Sequence, residues 1–387
     1  MRIGLNATCL NDRPSGARQR FVGIYRELVA LSPEVDFVVY EPSDCDVARW
    51  FQDAPNVTAR KTPIPSEGRA RKALRGLGYW RAELAREKFD IFEGFNLPLV
   101  VAPGAVNLLT IHDLRGLRPE AGSLERRVFG WVLGRAVRNA AHVVTVSDAM
   151  KQALHEVDPA ARVSVVYNGV SDASAAPVSS AELAAFKAKF AVDEGYVLAV
   201  GHIEARKNYP RLVDAMAKLV ARGLRQSLVI IGNDSGERVE VEKRIQANGT
   251  VGSVHLLSDL SDAEVRCAYA LCGLFVFPSS YEGFGIPILE AMAAGRPMVL
   301  SDLDVFREIT QQQGVYFSPA DSDGMADAME QVLASPAQQE RIIAYGKGRI
   351  GDFTYGSLAR QMKVLHQSLM QARQPMNAMS SDSRGKR

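Results

Sequence analysis

The sequence predicts an α/β protein built from two Rossmann-like domains, parallel sheets wound with helices and facing each other across a cleft. Three observations carry that prediction. Apolar runs of strand length alternate with helical patterns from end to end, which implies βαβ units and parallel sheets. The alternation pauses once, in an Ala/Ser-rich interval over 172–184, and then restarts. Finally, 387 residues are too many for one ordinary core.

Before the interval, strand-like runs fall at 3–5, 36–40, 91–95, 106–112, 142–146 and 163–166. After it they fall at 196–201, 228–232, 254–257, 274–277 and 298–301. The expected organisation is a first domain over 1–173, a linker over 174–189 and a second domain over 190–354. A C-terminal helix over 355–373 is expected to pack back towards the first domain. The tail over 374–387 is rich in Ser, Asn and charge, has no apolar face and is expected to be disordered.

Composition narrows the function classes. Apolar content of 47%, charged content of 23% and a net charge of +2 describe a soluble globular chain without the basic bias of a nucleic-acid binder. Cys9, Cys45, Cys267 and Cys272 are scattered, and no Cys/His set completes a zinc site. Reduced thiols suit the cytosol. Met1 leads directly into a strand, so no signal peptide is expected, and no apolar run approaches the roughly 20 residues of a spanning helix. The expected location is the cytoplasm, with any membrane contact made from the surface.

One segment has a strong local charge. Residues 59–88 hold nine basic residues against three acidic ones, with Leu74, Leu77, Tyr79 and Trp80 interleaved. Most of these charges suit a solvated helix and its approach loop. The functional reading is a basic, aromatic surface that docks on anionic lipid headgroups or on a lipid-pyrophosphate acceptor.

The most informative stretch is Phe277-Pro-Ser-Ser-Tyr-Glu-Gly-Phe-Gly-Ile-Pro-Ile-Leu-Glu290. A buried strand breaks into a Ser/Gly turn, and a helix opens at Pro287, a favoured first helical position. Gly283 and Gly285 leave backbone amides uncovered beside the positive end of a helix dipole, which favours an anion. Glu282 and Glu290 flank that turn and are placed to accept hydrogen bonds from hydroxyls. A sugar nucleotide, anionic in its middle and hydroxylated at both ends, fits this pattern. The same residues also suit a strand–turn–helix junction with capping acids in any α/β protein.

Gly201-His-Ile-Glu-Ala-Arg-Lys-Asn208 likewise lies between a strand and a helix. Arg206 and Lys207 place a fork-shaped guanidinium and a point-charge ammonium side by side, suited to a diphosphate and to its departure as a leaving group. The plainer reading is an exposed basic pair near a helix start, where the dipole disfavours it. Leu108-Leu-Thr-Ile-His-Asp-Leu114 ends a strand with His112 and Asp113 where a ligand should approach. A lone histidine is more often structural. Pro14-Ser-Gly-Ala-Arg-Gln-Arg-Phe21 forms a turn around Gly16, with Arg18 and Arg20 beside it. The strings at 142–148 and 165–170 read as strands with helix caps, and 301–308 as a wall of the cleft. Asp321-Ser-Asp323 spells a D-x-D metal string, but it precedes an amphipathic helix where acids belong as caps.

Taken together these strings resemble the retaining glycosyltransferases of family 4, which have the GT-B fold. About twenty contiguous positions fit, P-S-x-Y-E-G-F-G-x-P-x-L-E-A-M-A-x-G-x-P, from Pro278 to Pro297. Residues 201–208 resemble the family's G-x-x-x-x-R-K-N, and His112-Asp113 its strand-end pair. The match around Gly16 is partial. Many relatives carry Arg directly after the Gly where this chain has His202, so Arg206 is expected to take that role and no phosphate contact is assigned to His202.

The resemblance implies a role for each residue. Glu290 binds the nucleotide ribose. The amides of Gly283, Phe284 and Gly285, with Ile286 beside them and Glu282 close to the reacting centre, hold the donor sugar and its phosphate. Arg206 and Lys207 stabilise the departing diphosphate, and His112 contacts the donor sugar. Gly16 lies over the donor phosphates, and Arg18 and Arg20 are candidate acceptor-phosphate contacts. No metal and no cofactor are implied. Retention without an enzyme nucleophile implies front-face attack, the departing phosphate oxygen accepting the acceptor's proton. The spelling leans to GDP-mannose and to bacterial O-antigen or exopolysaccharide assembly on a lipid-linked acceptor at the inner membrane face. UDP-glucose, UDP-N-acetylglucosamine and dTDP-rhamnose users share much of it. From other classes, a sugar-nucleotide epimerase, a phosphorylase or a non-catalytic sugar-nucleotide-binding protein remains open.

Overall fold

A computed structural model describes residues 1–382 except Pro14, Asp53, Asp172, Ala173 and Ala175, with Arg69 and residues 374–382 described by backbone alone. The chain divides into two units, one of Met1–Gly169 with the segment from Tyr355 onward, the other of Val170–Thr354.

The first unit runs β1 (Arg2–Asn6), α1 (Gly16–Ala30), β2 (Asp36–Glu41), β3 (Val57–Lys61), α2 (Arg69–Arg86), β4 (Ile91–Gly94), β5 (Val106–Ile111), α3 (Ser123–Asn139), β6 (His142–Thr145), α4 (Asp148–Val157) and β7 (Val163–Val165). All seven strands pair in parallel, in the order β3-β2-β1-β4-β5-β6-β7. Alternation along each strand sorts its side chains to two faces. Ile3, Phe37, Val39, Ile91 and Leu108 turn to one face with α1 residues Phe21, Ile24, Tyr25 and Leu28. Val38, Tyr40 and Phe92 turn to the other, against Leu84 and Trp80 of α2. Spacings of three and four along α1 put its apolar residues in one stripe, and Ser15 starts that helix by accepting from the Arg18 amide at 3.2 Å.

The second unit runs α5 (Ser180–Phe190), β8 (Val197–Val200), α6 (Tyr209–Ala221), β9 (Leu228–Ile231), α7 (Arg238–Ala247), β10 (Val254–Leu257), α8 (Asp262–Leu271), β11 (Leu274–Phe277), α9 (Ile286–Ala293), β12 (Met298–Ser301), α10 (Asp304–Ile309), β13 (Val315–Phe317), α11 (Ser322–Leu333) and α12 (Pro336–Arg349). Its six parallel strands lie in the order β10-β9-β8-β11-β12-β13. The last helix, α13 (Tyr355–Asp382), belongs to the first unit, where Leu358, Ala359 and Met362 join the α1 core.

Four details differ from the sequence-based expectations. Two strands, β3 and β13, fall outside the runs read from the sequence: both are edge strands, β13 is only three residues long, and four of the five β3 residues are exposed. The expected linker over 174–189 carries α5, a helix of the second unit. Ser179 and Glu182 close a capping box at its start, and Phe186 is buried. Polar composition had hidden a helix whose one apolar anchor suffices. The tail expected to be disordered continues α13 in backbone through Asp382, extending a helix already anchored by buried residues. Asp172, at the start of the Ala/Ser interval, and residues 383–387 lie outside the described residues. Finally, Trp80 and Tyr79 do not form an outer aromatic surface. Trp80 packs edge-on against Tyr40 and Phe92, and only Leu74 and Leu77 of that set point to solvent.

Candidate active site

Each sheet reverses its winding once, beside β1 and β4 in the first unit and beside β8 and β11 in the second. Crevices beyond the carboxyl ends of strands at such points are where open α/β sheets bind ligands. In the second unit the two loops that leave β8 and β11 are stitched together there. The Ser280 amide donates to the Arg206 carbonyl at 2.8 Å, and Arg206 Nη1 donates to the Tyr281 carbonyl at 3.2 Å. Asn208, in the left-handed region at φ 60°, donates from Nδ2 to the carbonyls of Pro278 and Pro319 at 3.1 and 2.8 Å. Gly201 is obligatory in this packing: its φ is 143°, and a Cβ there would lie 2.9 Å from Lys207 Cε.

These loops bring Arg206, Lys207 and Glu282 into one buried cluster, although 75 residues separate Lys207 from Glu282. Glu282 Oε1 receives Arg206 Nη1 at 2.5 Å, Lys207 Nζ at 2.8 Å and the Ser279 hydroxyl at 2.8 Å. Arg206 also pairs with Glu204 at 2.6 Å, and the Lys207 ammonium lies 4.6 Å from the Phe277 ring centroid. Burial alone would raise the Glu282 carboxyl, but Lys207 and Arg206 outweigh it and hold it below the ordinary carboxylate range. Burial lowers the Lys207 ammonium against the opposing pull of Glu282. For Arg206 burial is overcome by Glu282 and Glu204, and the guanidinium is raised. Two cations thus face two carboxylates. Read from sequence, Arg206 and Lys207 were a cation pair open to a diphosphate; folded, they are already neutralised by Glu282 and Glu204.

Glu290 sits in the second turn of α9, which begins at Ile286. Its carboxylate accepts from the Tyr269 hydroxyl of α8 at 2.9 Å. Gly285 precedes the helix at φ 141°, and a Cβ there would meet Phe306 at 3.0 Å and Ile288 at 3.1 Å. Phe284 and Ile286 are buried, and the Phe284 ring packs edge-on to Phe353, so what their positions offer a ligand is backbone. The turn from Glu282 through Gly283 to Glu290 therefore lies at the carboxyl end of β11, as its sequence spacing implies.

In the first unit, His112 follows β5 directly, at the carboxyl edge of its sheet. Its Nδ1 is enclosed and has no hydrogen-bond partner among the described residues. Burial, reinforced by the Arg20 charge, pushes its pKa down to about 3, so the imidazole is neutral at physiological pH. Asp113 accepts the Arg115 amide at 3.1 Å, a local turn contact. Gly16 is the first residue of α1, capped by Ser15. Arg18 lies over the Trp50 ring at 5.1 Å and donates to the Asp12 carbonyl at 3.2 Å. Arg20 is not a surface contact for an acceptor. It is buried, and its Nη1 donates to the Val166 carbonyl at 2.8 Å and to the Tyr167 carbonyl. On α1 Arg20 lies one turn before buried Ile24 and beside buried Phe21, on the core-facing stripe, which the arginine identity concealed.

Three residues of these sites went unmarked in the sequence. Glu204 stood inside the quoted 201–208 string, and only the fold pairs it with Arg206. Ser279, which orients Glu282, stood in the matched 278–297 string without a role, and nothing in the local spelling of Tyr269 signals that it orients Glu290. The D-x-D string serves α11 as expected of caps: Asp321 accepts the Asp323 amide at 3.0 Å, and Asp323 pairs with Lys218 at 2.6 Å.

Two family models match nearly the whole chain in series, Glycosyltransferase Family 4 over residues 14–174 and Glycosyl transferases group 1 over residues 181–349. The chain belongs to glycosyltransferase family 4. Its fold is the family's GT-B arrangement of two Rossmann-like domains. Among curated family members, it is 31% identical to alpha-D-kanosaminyltransferase of Streptomyces kanamyceticus, over 62% of this chain and 64% of that protein. It is 27% identical to O-antigen chain mannosyltransferase RfbU of Salmonella typhimurium, over 61% of this chain and 64% of that one. The chain thus spans less than two thirds of the length of these relatives. The HepE protein of Anabaena, solved in complex with UDP and glucose, superposes with a TM-score of 0.73 at 19% identity, covering 95% of this chain and all of that one.

Proposed function

We propose that this family 4 chain is a metal-independent, retaining hexosyltransferase that moves mannose from GDP-mannose to a hydroxyl of a growing, lipid-linked bacterial surface glycan. The observation that carries this reading is the buried Arg206–Lys207–Glu282 cluster at the winding reversal of the second sheet, one turn of backbone from the Tyr269-held Glu290. Such a site offers a diphosphate two preorganised cations and offers a ribose a fixed carboxylate acceptor.

In the proposed reaction the acceptor hydroxyl oxygen forms the new bond to the anomeric carbon as the bond from that carbon to the β-phosphate oxygen breaks. The acceptor's proton passes to the departing phosphate oxygen, and Arg206 and Lys207 receive the developing charge. Glu282 holds both cations in place before the donor arrives and contacts the donor sugar. Glu290 binds the nucleotide ribose, and the 283–285 backbone with Ile286 lines the donor. His112 contacts the sugar as a neutral hydrogen-bonding group. Gly16 approaches the donor phosphates and Arg18 the acceptor. The mannose preference rests on likeness to mannosyltransferases such as RfbU. A UDP-sugar is the second reading, favoured by the UDP and glucose held by HepE. The peripheral membrane contact proposed for residues 59–88 now rests on Leu74, Leu77 and the surrounding basic residues of α2.

The deciding experiment is a donor panel of GDP-mannose, UDP-glucose, UDP-N-acetylglucosamine and dTDP-rhamnose, scored for hydrolysis and thermal stabilisation with and without EDTA. GDP-mannose turnover insensitive to EDTA is the expected result. Loss of turnover in EDTA would remove the metal-independent mechanism, and preference for another donor would reassign the sugar. Tight binding without turnover would favour a non-catalytic binding protein.

A further inference from the structure

Helix α3 turns an unusual face to solvent. Leu124, Val128 and Trp131 are 74%, 54% and 66% exposed, and they recur at i, i+4 and i+7, which makes one continuous stripe. At 100° per residue, Arg127, Arg135 and Arg138 fall on that same arc of about 100°. All three are exposed, and none is drawn into an ion pair among the described residues. Glu125 lies outside the arc. The opposite face, Leu133, Ala136 and Val137, is buried on the sheet, so the outward stripe is surplus to folding.

A second stripe shares this side of the molecule. Crossovers between parallel strands are right-handed, and β3 to β4 and β5 to β6 run in the same direction along the sheet. Helices α2 and α3 therefore cover one face of the first unit, opposite α1 and α13. Helix α2 turns Leu74 and Leu77 outward, 79% and 78% exposed, with Arg71 and Arg81 around them. The apolar residues of both stripes, Leu74 and Leu77 and Leu124 to Trp131, begin in the first halves of their helices, towards the carboxyl edge of the sheet where His112 and Gly16 lie.

We infer that the α3 stripe is a docking face for an anionic lipid bilayer, on which it lies in the interface plane with Trp131 and Leu124 among the headgroups and the arginines on lipid phosphates. A second copy of the chain fits this face poorly, since isologous pairing would set its arginines against themselves. An anionic plane answers both the apolar stripe and the cations, and it reaches α2 from the same side. The biological sense of this face rests on the proposed lipid-linked acceptor; its existence does not.

The test is co-sedimentation of the full chain with phosphatidylcholine vesicles, with and without phosphatidylglycerol. Wild type should pellet with the anionic vesicles alone. A Leu124→Ser/Trp131→Ser variant and an Arg127→Glu/Arg135→Glu variant should each weaken partitioning about tenfold or more, with melting temperature and lipid-free donor hydrolysis unchanged. Trp131→Phe should retain binding and report the loss of any lipid-induced blue shift. Unchanged partitioning of both double variants would overturn the inference, as would wild type that ignores anionic vesicles. Loss through Leu74→Ser/Leu77→Ser alone would confine contact to α2. A dimer dispersed by Leu124→Ser/Trp131→Ser, with vesicle binding intact, would identify a second copy as the occupant. Failure of donor turnover in wild type would fall on the proposed reaction and leave this surface standing.

Discussion

Lys207 and Glu282 meet at 2.8 Å, both nearly buried, with Arg206 and the Ser279 hydroxyl on the same carboxylate oxygen. The pairing means that a diphosphate entering beside Lys207 competes with a resident anion. Glu282→Gln should therefore tighten binding of the nucleoside diphosphate product by about fivefold while lowering the transfer rate, because one negative charge leaves the neighbourhood of the phosphates. Calorimetry of GDP and UDP binding checks the first half and steady-state transfer the second. Weaker diphosphate binding in the variant would sink the assignment.

Removing the cation has the opposite sign. Lys207→Ala deletes a charge aimed at the leaving group and should lower kcat/KM by about 100-fold or more, the range seen when one preorganised transition-state donor is lost. The variant also leaves Glu282 with Arg206 alone, so its melting temperature should fall as well. An unaltered transfer rate in a folded Lys207→Ala protein would place the diphosphate elsewhere.

The same cluster makes stability depend on acid. The Glu282 carboxyl is held below its ordinary value of 4.5 in the folded chain. Its contribution is fully present above that ordinary value and is lost as pH falls through the lower, folded one. Urea unfolding measured down to acidic pH should show this slope, and Glu282→Gln should flatten it.

His112 titrates far below the ordinary histidine value of 6.5, at about 3, through burial and the Arg20 charge. The pH profile of kcat/KM should then show no His112 step near neutrality. His112→Gln, which keeps a neutral hydrogen-bonding group, should retain more activity than His112→Ala. A limb near pH ~6.5 present in wild type and absent from His112→Gln would contradict the neutral assignment.

Tyr269→Phe removes the 2.9 Å hydrogen bond to the Glu290 carboxylate and a longer one, 3.4 Å, to the Pro287 carbonyl. At about 1.5–3 kcal/mol for a bond to a charged acceptor, donor KM should rise roughly ten- to 150-fold with kcat little changed, a split that donor kinetics resolve. If kcat alone fell, Glu290 would act on the reacting centre and not on the ribose.

Arg20→Ala should unfold the first unit at lower temperature, by about 2–4 kcal/mol of lost stability, because the Val166 and Tyr167 carbonyls are left without their buried donor. Acceptor KM should respond to Arg18→Ala instead. An acceptor-specific defect in a fully stable Arg20→Ala protein would restore the surface role that its burial removes.

Much of this site is local chemistry. Gly285, Pro287 and Glu290 sit within one strand-to-helix turn, and Gly201 through Asn208 within another, so alternation of apolar runs and the turn residues already place both at sheet ends. Periodicity likewise separates the two sheets, since each strand is buried by residues that lie next to one another in the chain. What spacing cannot carry is pairing between segments 75 residues apart. That Lys207 and Arg206 rest on Glu282 depends on β8 and β11 being neighbours at a reversal of winding, a property of the sheet and of no single segment. Tyr269 reaches Glu290 only once α8 and α9, on either side of β11 in the chain, pack together. Arg20 shows the complementary case: its charge suggests a surface, but its place on α1 turns it inward, where two carbonyls satisfy it. Sequence alone determined which groups are available. Tertiary packing decided which are already engaged, because burial and distance set the strength of every charge here.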